Sequence, residues 1–129
     1  MVRHRLASYT QSSTRYIKYD DEMPVIRPIF AAEGEEAAWR EAMLAAEKSY
    51  RAMLAAGVPP QNARDVLPTC TAAKIFVTAN FREWRHILRL RLARGAHPKI
   101  RVLARLIWRE MNAQCPVYFN DLEKEFADL

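Results

Sequence analysis

Trp39, Met43, Ala46, Tyr50 and Met53 step along this chain by four, three, four and three residues, and the series stops at Gly57. Apolar side chains on that spacing share one face of an α-helix, and a glycine just beyond the last of them supplies the left-handed residue that ends one. The pattern therefore predicts a long amphipathic helix over residues 32–56. Such a helix must bury its stripe against other elements. A chain of 129 residues, half of them apolar, can build one core for it and hardly two, so residues 1–129 are expected to form a single domain.

The elements around that helix follow from local chemistry. Residues 16–30 are irregular: Asp20-Asp21-Glu22 is polar, and Pro24 and Pro28 break the short run Val25-Ile26-Arg27, which predicts a loop with a brief edge strand. After Val58-Pro59-Pro60, residues 61–68 have room for one or two helical turns between prolines. Ile75-Phe76-Val77-Thr78 joins β-branched and aromatic residues and predicts a strand. A helix is expected over 82–93, and another from Pro98, which suits a first helical turn, to about 112, with the stripe Ile100, Leu103, Ile107 and Met111. The fold class is α+β, rich in helix with a small sheet.

Twenty Lys and Arg against fifteen Asp and Glu leave a net charge of +5, which favours anionic partners without choosing among them. No run approaches the roughly 18 to 20 apolar residues of a membrane span, and the polar start is unlike a signal peptide, so a soluble, cytoplasmic protein is expected. Cys70 and Cys115 lie far apart with no CxxC pair, and His4, His86 and His97 lack metal-ligand spacing. Two reduced thiols and no metal site are expected.

Chemistry concentrates at two places. Residues 3–16 read Arg3-His4-Arg5-Leu6-Ala7-Ser8-Tyr9-Thr10-Gln11-Ser12-Ser13-Thr14-Arg15-Tyr16, in which guanidinium forks, an imidazole and hydroxyls suit a phosphate or carboxylate. The bland reading of the serines is a polar turn. In the 82–93 helix, Arg82, Arg85, His86 and Arg89 share one face, which reads first as a solvated basic surface. Arg91 falls elsewhere, in line with Trp84, Ile87 and Leu88. A guanidinium there either snorkels to solvent or has a partner worth its desolvation.

Arg-His-Arg followed after seven residues by Ser13 resembles the signature of the flavin-dependent thymidylate synthases, the ThyX family. Three further segments are similar in the same order: 63–68, Asn80-Phe81-Arg82 with His86, and Leu90-Arg91 with Ala93, Gly95-Ala96-His97-Pro98 and Ile100-Arg101. The resemblance covers about residues 2–119. It implies a ThyX-like fold lacking the N-terminal part that family members carry ahead of the motif. It gives Arg3, His4, Arg5, Gln11, Asn80, Arg82 and His86 to FAD, and Gln11, Ser12, Ser13, Arg15, Arg64 and Arg91 to dUMP. Arg91 takes the catalytic role of stabilising negative charge on the uracil. The implied reaction is reductive methylation of dUMP to dTMP, with 5,10-methylenetetrahydrofolate and NADPH as co-substrates, in a homotetramer whose sites are shared between chains. Gln11 stands where family members often carry glutamate.

Two nonenzymatic alternatives compete. In one, Arg82, Arg85, Arg89 and Arg94 track the phosphates of a nucleic acid, although no helix-turn-helix, aromatic RNA-binding pair or zinc knuckle accompanies them and Trp84 and Trp108 sit at core spacing. In the other, the chain is an inactive fragment that serves as an oligomerisation partner.

Overall fold

The computed structural model describes residues 1–19, 22–30, 32 and 34–126. Asp20 and Asp21 of the expected loop, and Glu33 near the expected start of the long helix, lie outside the described residues. The chain divides into two compact units, Met1–Tyr9 with Val77–Leu129, and Thr10–Phe76. Strand β1 (Ala7–Gln11) and strand β2 (Ile75–Ala79) pair in a two-stranded antiparallel sheet, and the division falls within both strands. The Ser12 N–H continues the ladder to the Lys74 carbonyl at 2.9 Å.

In the continuous unit, helix α1 (Glu35–Ala55) runs where the apolar spacing places it. Glu35 and Glu36 in its first turn oppose the positive end of the helix dipole. Gly57, at φ 81°, ends the helix: its N–H bonds the Leu54 carbonyl and the Val58 N–H bonds the Met53 carbonyl, each at 3.0 Å. This paired closure satisfies carbonyls that the last turn would otherwise leave open. The predicted stripe is the face the helix covers, with Trp39, Met43, Ala46 and Met53 half-buried and Tyr50 fully buried. Phe30 packs edge-on against Trp39 at 5.9 Å, Tyr19 meets Tyr50 at 6.1 Å, and the Cys70 thiol donates to the Met43 sulfur at 3.3 Å. Helix α2 (Pro60–Ala63) and a 3₁₀ turn (Arg64–Val66) pack on α1 and supply the turns expected between prolines. The expected edge strand is a single antiparallel bridge, Val25 to Thr71.

In the other unit, helices α3 (Phe81–Leu92) and α4 (Pro98–Gln114) pack together, and the short helix α5 (Pro116–Phe119) packs on α4. A 3₁₀ turn (Asn120–Leu122) and helix α6 (Glu123–Phe126) follow. Asn80 caps α3, its Oδ1 accepting the Glu83 N–H at 2.9 Å, and His97 caps α4 through Nδ1, with Pro98 at the first position. Leu88, Leu92, Ala104, Phe119 and Leu122 form the core, flanked by Trp84, Ile107, Trp108, Met111 and Cys115. The stripe of α4 departs from expectation at one position: Leu103 is 44% exposed and Ala104 is buried in its place. Val102 and Leu106 are exposed on the same helix. Cys70 and Cys115 are both free thiols. Arg85 grips Asp121 with two bonds of 2.6 Å and also donates to the Tyr118 carbonyl. Those Arg85 bonds pull the Asp121 carboxyl down from 3.8 to about 2. Among the described residues no helix is long and apolar enough to cross a membrane.

Candidate functional site

The Arg-His-Arg motif precedes β1 as a tight turn, in which the His4 N–H bonds the Met1 carbonyl at 3.1 Å. Strand β1 holds it in place through Tyr9, whose hydroxyl lies 2.9 Å from the Met1 carbonyl and 3.0 Å from that of His4. The turn alternates exposure: Arg3 and Arg5 face solvent, while His4 between them is only 6% exposed.

His4 packs against α3. The Arg91 Nε–H donates to His4 Nε2 at 3.0 Å, Glu83 Oε1 stands 3.8 Å from His4 Nδ1, and the His86 ring lies edge-on at 5.9 Å. The choice left open for Arg91 resolves in favour of a partner, and that partner is an imidazole. A cleft of about 420 Å³ is lined here by Arg3, His4, Arg5, Glu83, His86 and Arg91. A second of about 580 Å³ adjoins the motif turn, with Val2, Ala7 and Tyr9 in its wall. Burial lowers the His4 pKa from 6.5, the nearby Arg91 charge lowers it further, and Glu83 raises it in part. His4 is thus neutral near pH 7.

His4, Glu83 and His86 also offer three ligand atoms within 4.8 Å of one another, a grouping the sequence spacing does not reveal. Their donor chemistry opposes a metal. An ion on His4 Nδ1 would need the ring proton on Nε2, where Arg91 already donates, and it would sit beside that fixed positive charge.

The remaining predicted residues are placed plainly. Asn80 is the cap of α3, and Arg82 is exposed on its first turn. In the other unit, Gln11 ends β1 exposed, Ser12 is half-buried, and Ser13 forms a turn whose Oγ accepts the Arg15 N–H at 3.2 Å. Ser13 thus stands in the polar turn, whereas Ser12 extends the strand ladder, and the ligand role of both stays open. Arg15 is exposed and donates from Nε to Gln61 Oε1 at 3.1 Å, and Arg64 is exposed where the 3₁₀ turn begins. The structure brings His4, His86 and Arg91 together, and with them Glu83, which sequence reasoning passed over. The Asn80-x-x-Glu83 spacing looks like a capping box, so its glutamate reads as a helix-end device. Tyr9 was missed as well, hidden in a polar strand. A phosphate-tracking face on α3 is weakened, since Arg85 and Arg89 both reach Asp121 and Trp84 and Trp108 flank the core.

A family model described as "Thymidylate synthase complementing protein" matches residues 1–117. The chain is 40% identical over 124 residues to a protein of Geobacter sulfurreducens named "Flavin-dependent thymidylate synthase", covering 94% of this chain and 53% of that one. Proteins of the same name from Pyrococcus abyssi and from Mycobacterium sp. (strain KMS) are 38% identical over 109 residues and 35% over 143. These cover 81% and 95% of this chain, and 45% and 56% of theirs. The chain spans about half the length of the curated relatives it matches.

Proposed function

The chain belongs to the family of thymidylate synthase complementing proteins, and from that premise we propose that it serves the reductive methylation of dUMP to dTMP. FAD is the bound cofactor, and NADPH and 5,10-methylenetetrahydrofolate are the co-substrates. The observation that carries this reading is the hydrogen bond between His4 and Arg91, 87 positions apart, which joins the Arg-His-Arg motif to the arginine proposed to act on the pyrimidine.

The residues present suit a phosphate-bearing cofactor. Arg3 and Arg5 offer exposed forks on either side of a buried imidazole, and the adjoining clefts have the size usual for small-molecule sites. A bound flavin would supply hydride transfer, and the protein's share is binding, orientation and electrostatics. Arg3, His4, Arg5, Gln11, Asn80, Arg82 and His86 are assigned to holding it. Ser12, Ser13, Arg15 and Arg64, with Gln11, are assigned to the nucleotide phosphate and sugar. Arg91 would oppose negative charge on the uracil ring, and its half-buried position strengthens that interaction relative to water.

Residues 1–129 are read as one domain, partial relative to the curated relatives, because the family model runs through both compact units. A homotetramer with shared sites is the proposed assembly, supported by the exposed Val102 and Leu106 of α4. The test is a visible absorption spectrum after reconstitution with FAD and gel filtration, followed by titration with dUMP. A retained flavin band that shifts with dUMP supports the reading. A colourless protein counts against flavin binding by this chain.

A further inference from the structure

We propose that Glu83 and His4 act together as positioning residues for Arg91: the Glu83 carboxylate orients the His4 imidazole, whose Nε2 accepts the Arg91 Nε–H and leaves the two terminal amino groups of Arg91 free for the pyrimidine. This role rests on the nucleotide reading of Arg91 given above.

The direction of the hydrogen bond settles the imidazole. Arginine is always a donor, so His4 Nε2 must accept, and a neutral ring then carries its proton on Nδ1. That proton lies on the side of the Glu83 carboxylate. At 3.8 Å the pair is too long for a hydrogen bond, yet both side chains are almost fully buried, where a carboxylate strongly favours a proton on the nearer nitrogen. Four groups bear on His4 electrostatically: Arg91, the Met1 amino group, His86 and Glu83. Glu83 is the anion among them. Burial and the Arg91 charge keep His4 neutral, and therefore an acceptor, while Glu83 favours the ring proton on Nδ1.

The placement of Glu83 agrees. It stands three residues after the cap of α3, where a glutamate would ordinarily reach back to the cap's backbone N–H. Here it keeps the backbone half of that motif, with its N–H on Asn80 Oδ1, while its side chain is buried against His4. Among the described residues the terminal amino groups of Arg91 have no hydrogen-bond partner, although Arg91 lines the cleft. One Nε–H anchors the fork and the rest of it stays available for a planar ligand edge.

The test combines ring-nitrogen NMR of histidine-labelled protein with dUMP titration of the FAD-loaded protein. Wild type should show His4 protonated on Nδ1 at pH 8. Glu83→Ala should move that proton toward Nε2 and weaken dUMP binding about 10- to 100-fold, the cost of a misplaced group near the reacting centre. Glu83→Gln, which keeps an acceptor oxygen, should retain the tautomer and most of the affinity, while the protonation midpoint of His4 falls below that of wild type. A merely structural Glu83 would leave the ring proton on Nδ1 in Glu83→Ala. His4 protonated on Nε2 in wild type, or unchanged dUMP affinity in Glu83→Ala, would overturn the proposal. Wild-type protein that keeps the Nδ1 proton but does not bind dUMP would instead sink the nucleotide reading, and the positioning role with it, leaving the Glu83–His4–Arg91 chain as architecture.

Discussion

Arg91 is tolerated on an otherwise apolar side of α3 because an imidazole meets its Nε–H. Replacing it with alanine should abolish the dUMP response while the flavin band stays, read by absorption after gel filtration. Loss of the flavin instead would reassign Arg91 to the cofactor. His4 gives a second prediction, with its sign set by burial and by Arg91. Its folded pKa lies below the ordinary 6.5, so the unfolded chain takes up the proton first as pH falls. The stability contributed is complete above about pH 6.5 and declines as pH drops through the folded value. Urea midpoints from pH 8 to 5 should fall more steeply for wild type than for His4→Asn, and parallel curves would refute this. Arg91 could be singled out in the sequence because a lone cation on an apolar face needs an explanation, and His4 because it stands in the Arg-His-Arg segment. Glu83 could not, since its spacing from Asn80 already had a sufficient local reason.

Helix α1 was legible in the sequence because its apolar period and its glycine stop agree. Gly57 sits at φ 81° with open space where a Cβ would go, so Gly57→Ala should cost only backbone strain, about 1 to 2 kcal/mol in urea unfolding. A cost near zero would mean the helix end relaxes. Helix α4 was legible in extent but not fully in register. Steps of three and four both fit its apolar residues, and packing selected Ala104 where Leu103 had been expected. Leu103→Gln should therefore change stability by no more than about 0.5 kcal/mol, as for other surface positions, whereas a loss of 2 kcal/mol or more would return Leu103 to the core. Strand β1 was not foreseen. Ala7-Ser8-Tyr9-Thr10-Gln11 lacks the apolar alternation of a half-buried strand, and pairing with β2 rather than burial gives it its form.

Across the whole molecule, the core of the discontinuous unit rests on a few fully buried side chains. Phe119 contributes a ring at 0% exposure, against which Phe81 packs at 5.7 Å and whose carbonyl accepts the Trp108 indole N–H at 3.0 Å. Phe119→Ala should lose about 3 to 5 kcal/mol by chemical denaturation, and a loss under 1 kcal/mol would show that this cluster does not hold the unit. The overall class, helix-rich α+β, was readable from composition and period. The division into units was not, because the segments 1–9 and 77–129 belong together only through contacts distant in sequence. That arrangement has a consequence for a chain emerging from the ribosome. At about 5 to 20 residues per second, the 87 positions separating His4 from Arg91 take about 4 to 17 s to synthesise. Until then the imidazole that ends up buried has no donor to meet. Residues 10–76 are continuous and can settle first, so the opening motif is the earliest part of this unit made and among the last to acquire its final surroundings.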